Sequence, residues 1–353
     1  MNIGIICEFN PFHGGHKYLI DSVKKEGDAV ICAMSGNYVQ RGEPAVFDKF
    51  SRAQEAVKNG ADLVIEIPTV CSTLSAQGFA EAGVKLLEAT GICNALAFGA
   101  ECDDEDELKR LANEIKEKDG EIKAELAKGC SYPVARKNVI KSPVLDEPNN
   151  ILALEYLRCS TLEPIVVKRI GKGHDSDDEL YSASEIRKTL RDEETARAEN
   201  CERAILYKLR TMTADDFLKI EDVSEGLENR IVEAVKTAKS LEELYSLIKT
   251  KRYTHSRIRR IILRAYLGID SSVQKEPQYL RILAFSERGR DLLSEIKKTA
   301  KLPLITKFSD AKAACGEVLA QFENECRYTD IYNLFFKEPK PCDAEKTNRI
   351  AVI

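Results

Sequence analysis

The chain has 353 residues, a formal net charge of −5, and hydrophobic and charged fractions of 43% and 31%. The composition excludes a disordered or collagen-like chain, and the length is enough for two or three domains. The negative balance excludes binding of polyanions over the whole surface, so that any nucleic-acid site must be a local basic patch.

Neither the first residues nor the cysteines indicate export. The chain starts without a basic and apolar leader, and no apolar run approaches the length needed to span a bilayer. The 11 cysteines include no C-x-x-C pair and no Cys/His zinc spacing. Most of them lie in apolar runs, which is typical of free thiols in a reducing compartment. The sequence therefore predicts a cytoplasmic protein without a membrane segment or a metal site.

The first predicted elements are a buried strand, a turn and a helix. Residues 3–6 are apolar, and Asn10-Pro11 and Gly14-Gly15 favour a turn. His13 and His16 lie where the helix begins, beside unpaired amides and the positive end of its dipole. Each imidazole can donate a hydrogen bond to a phosphate oxygen, and glycine lets the backbone approach an anion closely. The stretch therefore predicts a phosphate site.

Residues 1 to about 190 alternate between short apolar runs and helical patterns. Strands are predicted at residues 3–6, 29–33, 63–67, 95–98 and 165–167, and helices near 16–25, 47–59, 75–89, 103–118 and 149–159. Fully apolar strands separated by helices predict an α/β fold with a parallel, Rossmann-like sheet. Ligands of such sheets bind beyond the carboxyl ends of the strands.

Several loops then become candidate binding segments by position. Residues 34–44 follow the second strand and contain two glycines, several amide or hydroxyl side chains and Arg41. Gly99, near the end of the fourth strand, permits a base or ribose to lie against the backbone. Asn149-Asn150 starts a helix, and an N-cap accounts for only one of the two. A polar surface loop and a plain turn glycine are the alternative explanations.

Two basic segments follow the last predicted strand. Residues 168–175 carry three cations among glycines, which suits a nucleotide phosphate or a solvated loop. Residues 181–187 start another helix, where Ser182 or Ser184 can serve as a cap and the terminal amides again favour phosphate.

From about residue 192 the pattern becomes mostly helical and strand signals fade, although residues 302–305 permit a short edge strand. Residues 249–264 contain seven Lys and Arg and no acid. A solvated helix face is the usual explanation of such a run, but the absence of acids argues against salt bridges along it. The pattern predicts a helix with three outward arginines that bind RNA phosphates, beside Tyr253 and His255 as stacking surfaces.

The segment His13-Gly14-Gly15-His16 after a first strand resembles the His-x-Gly-His motif of the adenylate-transferring nucleotidyltransferase superfamily. Ser184-Glu185-Ile186-Arg187 resembles the second motif of that superfamily. With further segments, the chain resembles the bacterial tRNA(Met) cytidine acetate ligase family. Those segments are the Ser-Gly-Asn-x-Val-Gln-Arg-Gly loop at 35–42, Phe98-Gly99, Pro148-Asn149-Asn150 and Lys251-Arg252-Tyr253-Thr254.

The resemblance implies a reaction and a division of the chain. Residues 1–191 would form a Rossmann-like nucleotidyltransferase domain that binds ATP, and residues 192–353 a mostly α-helical region that binds tRNA. ATP would activate acetate as acetyl-adenylate with release of pyrophosphate. The acetyl group would then pass to the wobble cytidine of elongator tRNA(Met), which gives N4-acetylcytidine.

The resemblance also implies roles for residues of this chain. The catalytic residues would be His13 and His16. The ATP-binding residues would be Ile6, Cys7, Glu8, Phe9, Asn10, Pro11, Phe12, Gly14, Gly15, Lys17, Tyr18, Gly99, Asn150, Arg169, Ile170 and Arg187. The acetate or base pocket would contain Ser35, Asn37, Gln40 and Arg41. The tRNA-binding residues would be Lys251, Arg252, Tyr253, His255, Arg257, Arg260 and Arg264.

Two other functions remain open at this point. A small-molecule adenylyltransferase with a helical appendage would not need the basic patch. A non-catalytic RNA-binding protein with a nucleotide pocket would not need both histidines. The sequence contains no motif that decides the oligomeric state, or whether Mg²⁺ accompanies the ATP.

Overall fold

The computed structural model of the protein describes residues 1–169, 183–224, 226–348 and 350–353. Its strands are β1 Asn2–Cys7, β2 Ala29–Ser35, β3 Tyr38–Val39, β4 Glu43–Pro44, β5 Leu63–Ile67, β6 Ala95–Ala100, β7 Glu163–Lys168, β8 Leu280–Phe285, β9 Leu304–Ile305 and β10 Ala351–Val352.

Helices cover the sheet and build most of the second half of the chain. The first nine are α1 Gly14–Val23, α2 Lys49–Lys58, α3 Thr69–Ser72, α4 Ala76–Ala89, α5 Glu105–Glu117, α6 Asp119–Ala127, α7 Tyr132–Ile140, α8 Pro148–Cys159 and α9 Ala183–Thr189. The others are α10 Glu202–Arg210, α11 Ala214–Leu218, α12 Leu227–Thr237, α13 Leu241–Ile248, α14 His255–Leu267, α15 Glu287–Thr299, α16 Phe308–Ala314, α17 Gly316–Tyr332 and α18 Ala344–Thr347. None of these helices, in the described part of the chain, has the length and apolar character that crossing a membrane demands.

The parallel part of the main sheet has the strand order β5-β2-β1-β6-β7. The order reverses beside β1, because β2 and β5 extend the sheet on one side of it and β6 and β7 on the other. Open parallel sheets bind ligands at such a switch point, beyond the carboxyl ends of the strands. The loops after β1 and β6 therefore meet at the expected binding edge.

The five strands and five helices predicted for the first 190 residues are confirmed, with small shifts at their ends. The strands are apolar throughout because each face of the sheet is covered. In β2, Ile31 and Ala33 belong to the core that contains residues of α4 and α8, whereas Val30 and Cys32 belong to the core that contains residues of α1 and α2. Burial on both faces is what a parallel sheet between two helical layers requires.

The second half of the chain adds strands to the same sheet. β8 pairs antiparallel with β5, and both β9 and β10 pair parallel with β8. The short strand predicted within residues 302–305 is confirmed as β9. The prediction that strand signals fade after residue 192 is wrong for β8, which carries the charged Arg281 in an otherwise apolar run. This arginine is 1% exposed and lies 3.5 Å from Glu345, which explains a charge inside a buried strand.

A buried charge cluster lies where α18 and β8 pack near α2 and β5; we define it as Lys49, Glu66, Arg281, Glu325 and Glu345. Each member is no more than 2% exposed. Lys49 Nζ lies 2.5 Å from Glu66 Oε1 and also pairs with Glu345. Burial, with the nearby charge of Glu66, raises the pKa of Glu325 to about 8. Burial also raises the pKa of Glu66, so the cluster holds two cations among three carboxyl groups that burial makes less acidic or that pair with charge.

Candidate active site at the carboxyl edge of the sheet

His13 and His16 lie side by side at the N-terminus of α1, with ring centroids 3.8 Å apart. His13 Nδ1 accepts the backbone N–H of Gly15 at 3.0 Å and caps the helix. His16 Nδ1 accepts the backbone N–H of His13 at 3.3 Å. Because each Nδ1 is an acceptor, we assign the proton of each neutral ring to Nε2. Both Nε2–H groups can then donate to an anion at the helix terminus.

The two imidazoles are neutral at neutral pH. Burial lowers the pKa of His13, and the charges of Arg169 and Arg187 lower it further. Burial also lowers the pKa of His16 to well below its usual value, with contributions from His13 and Arg169. The positive potential at this site therefore comes from the two arginines and the helix dipole, while the histidines act as neutral donors.

Aromatic rings fix the orientation of His16. The Phe9 ring packs edge-on against it with a centroid distance of 4.9 Å, and the Phe12 ring lies 5.6 Å away. Phe9 is 1% exposed and belongs to the core that contains residues of α1 and α2. The ring of His16 therefore packs against apolar side chains of the core, which limits its motion. Such preorganisation is what a hydrogen-bond donor to a transition state needs.

The side chains of the last β1 residues face the protein interior rather than the site. Ile6 is 8% exposed and packs in the core that contains residues of α4. Burial and a neighbouring thiol, Cys32, raise the pKa of Cys7 well above its usual value, which excludes a reactive thiolate. Both residues can reach a ligand only through their backbone. Lys17 and Tyr18, by contrast, extend from the first turn of α1, where Tyr18 is 38% exposed.

Arg187 connects α9 with the turn that precedes α1. Its Nη1 donates to the carbonyl of Asn10 at 2.7 Å, and its Nη2 donates to Ser184 Oγ at 2.9 Å. Its charge also acts on His13. The second motif therefore lies beside the first, as the resemblance implies. Ile170, which was predicted to bind ATP, lies outside the described residues.

Gly99, Glu101 and Arg169 form the other side of the site. A Cβ on Gly99 would lie 3.3 Å from Arg169 Cγ, so glycine lets the arginine lie close to the end of β6. Glu101 Oε1 lies 3.6 Å from Arg169 Nε, and its other oxygen accepts the backbone N–H of Asn150 at 3.0 Å. Glu101 was not among the predicted site residues, although it follows the predicted strand end directly.

Asn150 has a positioning contact in this structure. It is 2% exposed, its Oδ1 accepts the backbone N–H of Cys102 at 2.9 Å, and its Nδ2 donates to the carbonyl of Val144 at 3.1 Å. The amide thus holds the loop after β6 against the start of α8. The contact of Asn150 with adenosine stays a prediction.

Of the four residues predicted for the acetate or base pocket, two are buried and two are not. Asn37 is 2% exposed; its Nδ2 donates to Thr329 Oγ1 at 3.1 Å and its Oδ1 accepts the backbone N–H of Lys49 at 2.9 Å. Ser35 is fully buried, and its Oγ has no hydrogen-bond partner among the described residues. Asn37 is therefore excluded as an open ligand contact in this conformation, because its amide links the loop to α17.

Gln40 and Arg41 remain at the edge of the site. The backbone N–H of Gln40 donates to Glu8 Oε1 at 2.7 Å, and its side-chain Nε2 donates to the carbonyl of Leu74 at 3.4 Å. Arg41 is exposed and close enough to Glu8 to affect its titration. These two residues are the members of the predicted pocket that a ligand can reach.

Arg52 of α2 holds the ends of β1 and β2 together and was missed by the sequence analysis. It is 2% exposed, and its guanidinium donates to the carbonyls of Glu8, Gly36, Ser35 and Phe47, the last two at 3.2 and 2.9 Å. It therefore fixes both candidate loops through their backbone. The available signal was an arginine among the apolar positions of a helix that covers the sheet.

The basic segment begins next to these loops. Gly42 has a φ of +79°, and a Cβ there would overlap the backbone of Arg259 and Arg260. Arg259 also pairs with Glu43 across the same contact. The start of α14 and the loop after β2 are therefore in direct contact, which places the basic segment on the same side of the molecule as the histidines.

The predicted exposed arginine face is wrong for Arg260 and Arg264. Arg264 is 1% exposed, and its Nη1 donates to the carbonyl of Val70 and to Thr73 Oγ1, both at 3.0 Å. Arg260 is 8% exposed and lies 3.1 Å from Asp222. The physical reason is that α14 packs against α10, α13 and β4, so that more than its apolar face is enclosed.

Tyr253 is also enclosed, at 6% exposure, which corrects its predicted role as a stacking surface. The guanidinium of Arg257 lies 5.3 Å from its ring centroid and donates to the carbonyl of Asp222 at 2.9 Å. Arg252 and Arg257 are half-buried, whereas Lys251 and His255 are exposed. The exposed part of the predicted tRNA surface is therefore smaller than the charge count suggested. Among the described residues, no group of three or more His, Cys, Asp or Glu is arranged to hold a metal ion.

Comparison with known proteins gives consistent matches over nearly the whole chain. The HIGH Nucleotidyl Transferase family model matches residues 1–205 and 191–347. The tRNA(Met) cytidine acetate ligase of Acetivibrio thermocellus is 35% identical over 96% of this chain and 95% of its own, and that of Syntrophomonas wolfei is 37% identical over the same shares. The crystal structure of Thermotoga maritima TmcAL bound with alpha-thio ATP has a TM-score of 0.90 at 31% identity, covering 99% of each chain.

Proposed function

Because the chain belongs to the tRNA(Met) cytidine acetate ligase family, we propose that it is an ATP-dependent ligase that acetylates the wobble cytidine of elongator tRNA(Met). The observation that carries the proposal is the pair of neutral imidazoles at the α1 terminus, each with its Nε2–H available, at the switch point of the sheet. ATP as a substrate agrees with the nucleotide analogue in the related Thermotoga maritima structure.

The first step requires activation of acetate, which is a poor acyl donor. A carboxylate oxygen of acetate attacks the α-phosphorus of ATP, the bond to the β-phosphate oxygen breaks, and acetyl-adenylate and pyrophosphate form. Negative charge is spread over the phosphoryl oxygens in the transition state. His13 and His16 donate their Nε2–H groups to these oxygens, together with the amides of the α1 terminus. Arg169 and Arg187 supply positive charge on either side.

The second step brings the cytidine to the acyl-adenylate. An anticodon loop can present its base unstacked, as an enzyme acting on an exocyclic amine requires. The contact of Gly42 and Glu43 with Arg259 and Arg260 joins the loop after β2 to the start of α14. The exposed Arg41, Lys251 and His255 extend from these same two segments, so they are candidates for contacts with the RNA backbone.

The proposal is tested by two assays on the intact chain. Without tRNA, we expect acetate-dependent exchange of labelled pyrophosphate into ATP. With ATP, acetate and a tRNA(Met) transcript, we expect mass spectrometry of the digested RNA to detect N4-acetylcytidine. Pyrophosphate exchange that does not depend on acetate but requires a small phosphorylated acceptor would favour an adenylyltransferase. RNA binding without any exchange would favour a non-catalytic binding protein.

The tRNA surface is tested by removing one exposed cation. Lys251→Ala is expected to weaken tRNA(Met) binding and to lower the slope of log affinity against log salt by about 0.7–0.9, the effect of one lost phosphate contact. Filter binding over a salt series measures both quantities. Lys25→Ala is the matched control, because Lys25 is exposed just before β2, at the opposite edge of the sheet. An unchanged salt slope for Lys251→Ala would remove this residue from the RNA surface.

A further inference from the structure

Acetyl transfer to the cytidine amine releases a proton, and the two histidines are not arranged to accept it. Each Nδ1 already accepts a backbone N–H, and each Nε2 carries the proton that is donated to phosphate. The leaving group, AMP, departs as a phosphate monoester and does not need this proton. A different group at the carboxyl edge must therefore accept it.

Glu8 is the carboxylate placed for this task. It follows the last residue of β1 at the switch point and is half-buried. Its Oε1 accepts the backbone N–H of Gln40 at 2.7 Å, which fixes the carboxylate between the turn before α1 and the loop after β2. Among the described residues no hydrogen-bond donor binds its Oε2 and no cation lies within ion-pair distance of it. We propose that Glu8 is the general base of the acetyl-transfer step.

The other carboxylates at this edge are already engaged. Glu43 pairs with Arg259, and Glu66 belongs to the buried charge cluster. Both oxygens of Glu101 accept hydrogen bonds from the Asn149-Asn150 segment. Asp48 caps α2 by accepting the backbone N–H groups of its first turn. Glu8 differs from them because its Oε2 has no hydrogen-bond or ion-pair partner among the described residues.

The surroundings of Glu8 shift its pKa in two opposing directions. Burial raises the pKa of Glu8 above the usual value of a glutamate, while the N–H of Gln40 and three arginines oppose this shift. The titratable and charged groups that face it come from five elements or loops: Cys7, Arg41, Arg52, Tyr156 and Arg187. A base works best when its pKa lies near the working pH and it is still ionised. Burial therefore makes Glu8 more basic than an ordinary glutamate, while the three arginines favour its ionised form.

The transfer step balances as follows. The cytidine N4 lone pair forms a bond to the acetyl carbonyl carbon, and the N4–H proton passes to Glu8 Oε2. The bond between the carbonyl carbon and the AMP phosphate oxygen breaks, and that oxygen keeps the electron pair. The products are N4-acetylcytidine, AMP and a protonated Glu8, which returns its proton to water. Acetate activation involves no such proton, so Glu8 has no proton-transfer role in the first step.

This inference rests on the proposed function and is tested with Glu8→Gln, which keeps the shape of the side chain and an acceptor for Gln40. Because Glu8 is also among the predicted ATP-binding residues, exchange of pyrophosphate without tRNA reports any loss of ATP binding or activation, and we expect it to fall by much less than acetyl transfer. Acetyl transfer is measured by mixing enzyme, preloaded with ATP, acetate and pyrophosphatase, with tRNA(Met) in a quenched single turnover. We expect Glu8→Gln to slow this step by about 10²–10⁴-fold, the usual contribution of a general base.

The pH profile distinguishes a base from a structural residue. The single-turnover transfer rate of the wild type should rise with pH until Glu8 is fully ionised and then level off, because only the carboxylate accepts the proton. The profile of Glu8→Gln should be flat, and Glu8→Asp should restore the rise and part of the rate. Glu81→Gln is the matched control, because Glu81 is exposed on α4 and binds Gln77 at 2.9 Å.

Three results would overturn the inference: transfer by Glu8→Gln at the wild-type rate, an equal loss of exchange and transfer, or an unchanged pH profile. Absence of acetate-dependent exchange in the wild type would instead contradict the proposed function. The two failures are therefore distinguishable in the same set of measurements.

Discussion

His13→Ala is expected to lower the rate of acetate-dependent pyrophosphate exchange by about 10²–10³-fold, the usual effect of removing one preorganised donor from a transition state. The variant loses the Nε2–H that the neutral ring would offer to the α-phosphate, and burial keeps that ring neutral in the wild type. Initial rates at saturating ATP and acetate measure the effect. Binding of tRNA(Met) should persist, because the exposed cations of the basic segment are unchanged.

His13 also caps α1, so loss of the cap must be separated from loss of the donor. His13→Ser provides this control, since serine is a favourable N-cap but lacks the imidazole donor. We expect it to be as slow as His13→Ala with a midpoint of thermal unfolding near that of the wild type. Ser22→Ala, on an exposed position of the same helix, should leave the exchange rate unchanged. If His13→Ser exchanged pyrophosphate at the wild-type rate, the reaction would depend on the helix cap and not on the hydrogen bond from the imidazole.

Lys49→Met is expected to lower the free energy of unfolding by about 3–5 kcal/mol, the usual loss when a buried ion pair is left with one partner. The variant leaves Glu66 and Glu345 facing each other without their shared cation. Urea denaturation followed by circular dichroism is the suitable measurement, because the chain contains no tryptophan. The same variant should slow acetylation, because Lys49 is the first residue of α2, and a shift of its backbone would disturb the hydrogen bond from its N–H to Asn37 in the loop after β2.

Lys346→Met is the matched control for this prediction. Lys346 pairs with Asp343 at 2.6 Å on the surface, where solvent screens the pair, so we expect no resolvable change in stability. Combining Lys49→Met with Glu345→Gln should recover part of the lost stability, because one uncompensated carboxylate is removed. If Lys49→Met lowered the free energy of unfolding as little as Lys346→Met, the assignment of a charged cluster in the core would be wrong.

The local part of the site could be predicted from the sequence because it depends on neighbours along the chain. Ile3 to Ile6, the turn and the two histidines form a strand, loop and helix within the first residues, and the structure keeps that order. The sheet followed from five apolar runs separated by helical patterns. The proposed reaction requires the basic segment to lie near the histidines, and the contact of Gly42 with α14 agrees with this requirement.

The remaining part depends on contacts between distant residues, which a single sequence does not contain. Asn37 looked like a ligand contact because it is polar and lies in a glycine-rich loop, yet its partner is Thr329. Arg264 looked exposed because of its charge, yet it binds backbone and hydroxyl groups near α3. In both cases a polar side chain forms hydrogen bonds in the protein interior. The sequence alone does not distinguish such a structural residue from one that binds a ligand.

The pairing of β8 with β5, together with the link from Asn37 to Thr329, has a consequence for how this protein can be altered. Residues 1–169 and residues 226–348 share one sheet and one set of internal charges. Chimaeras that join residues 1–191 of one relative to the rest of another would have to inherit matching partners on both sides of the junction. Natural recombination would meet the same barrier, so the two halves are expected to have diverged together as a single unit.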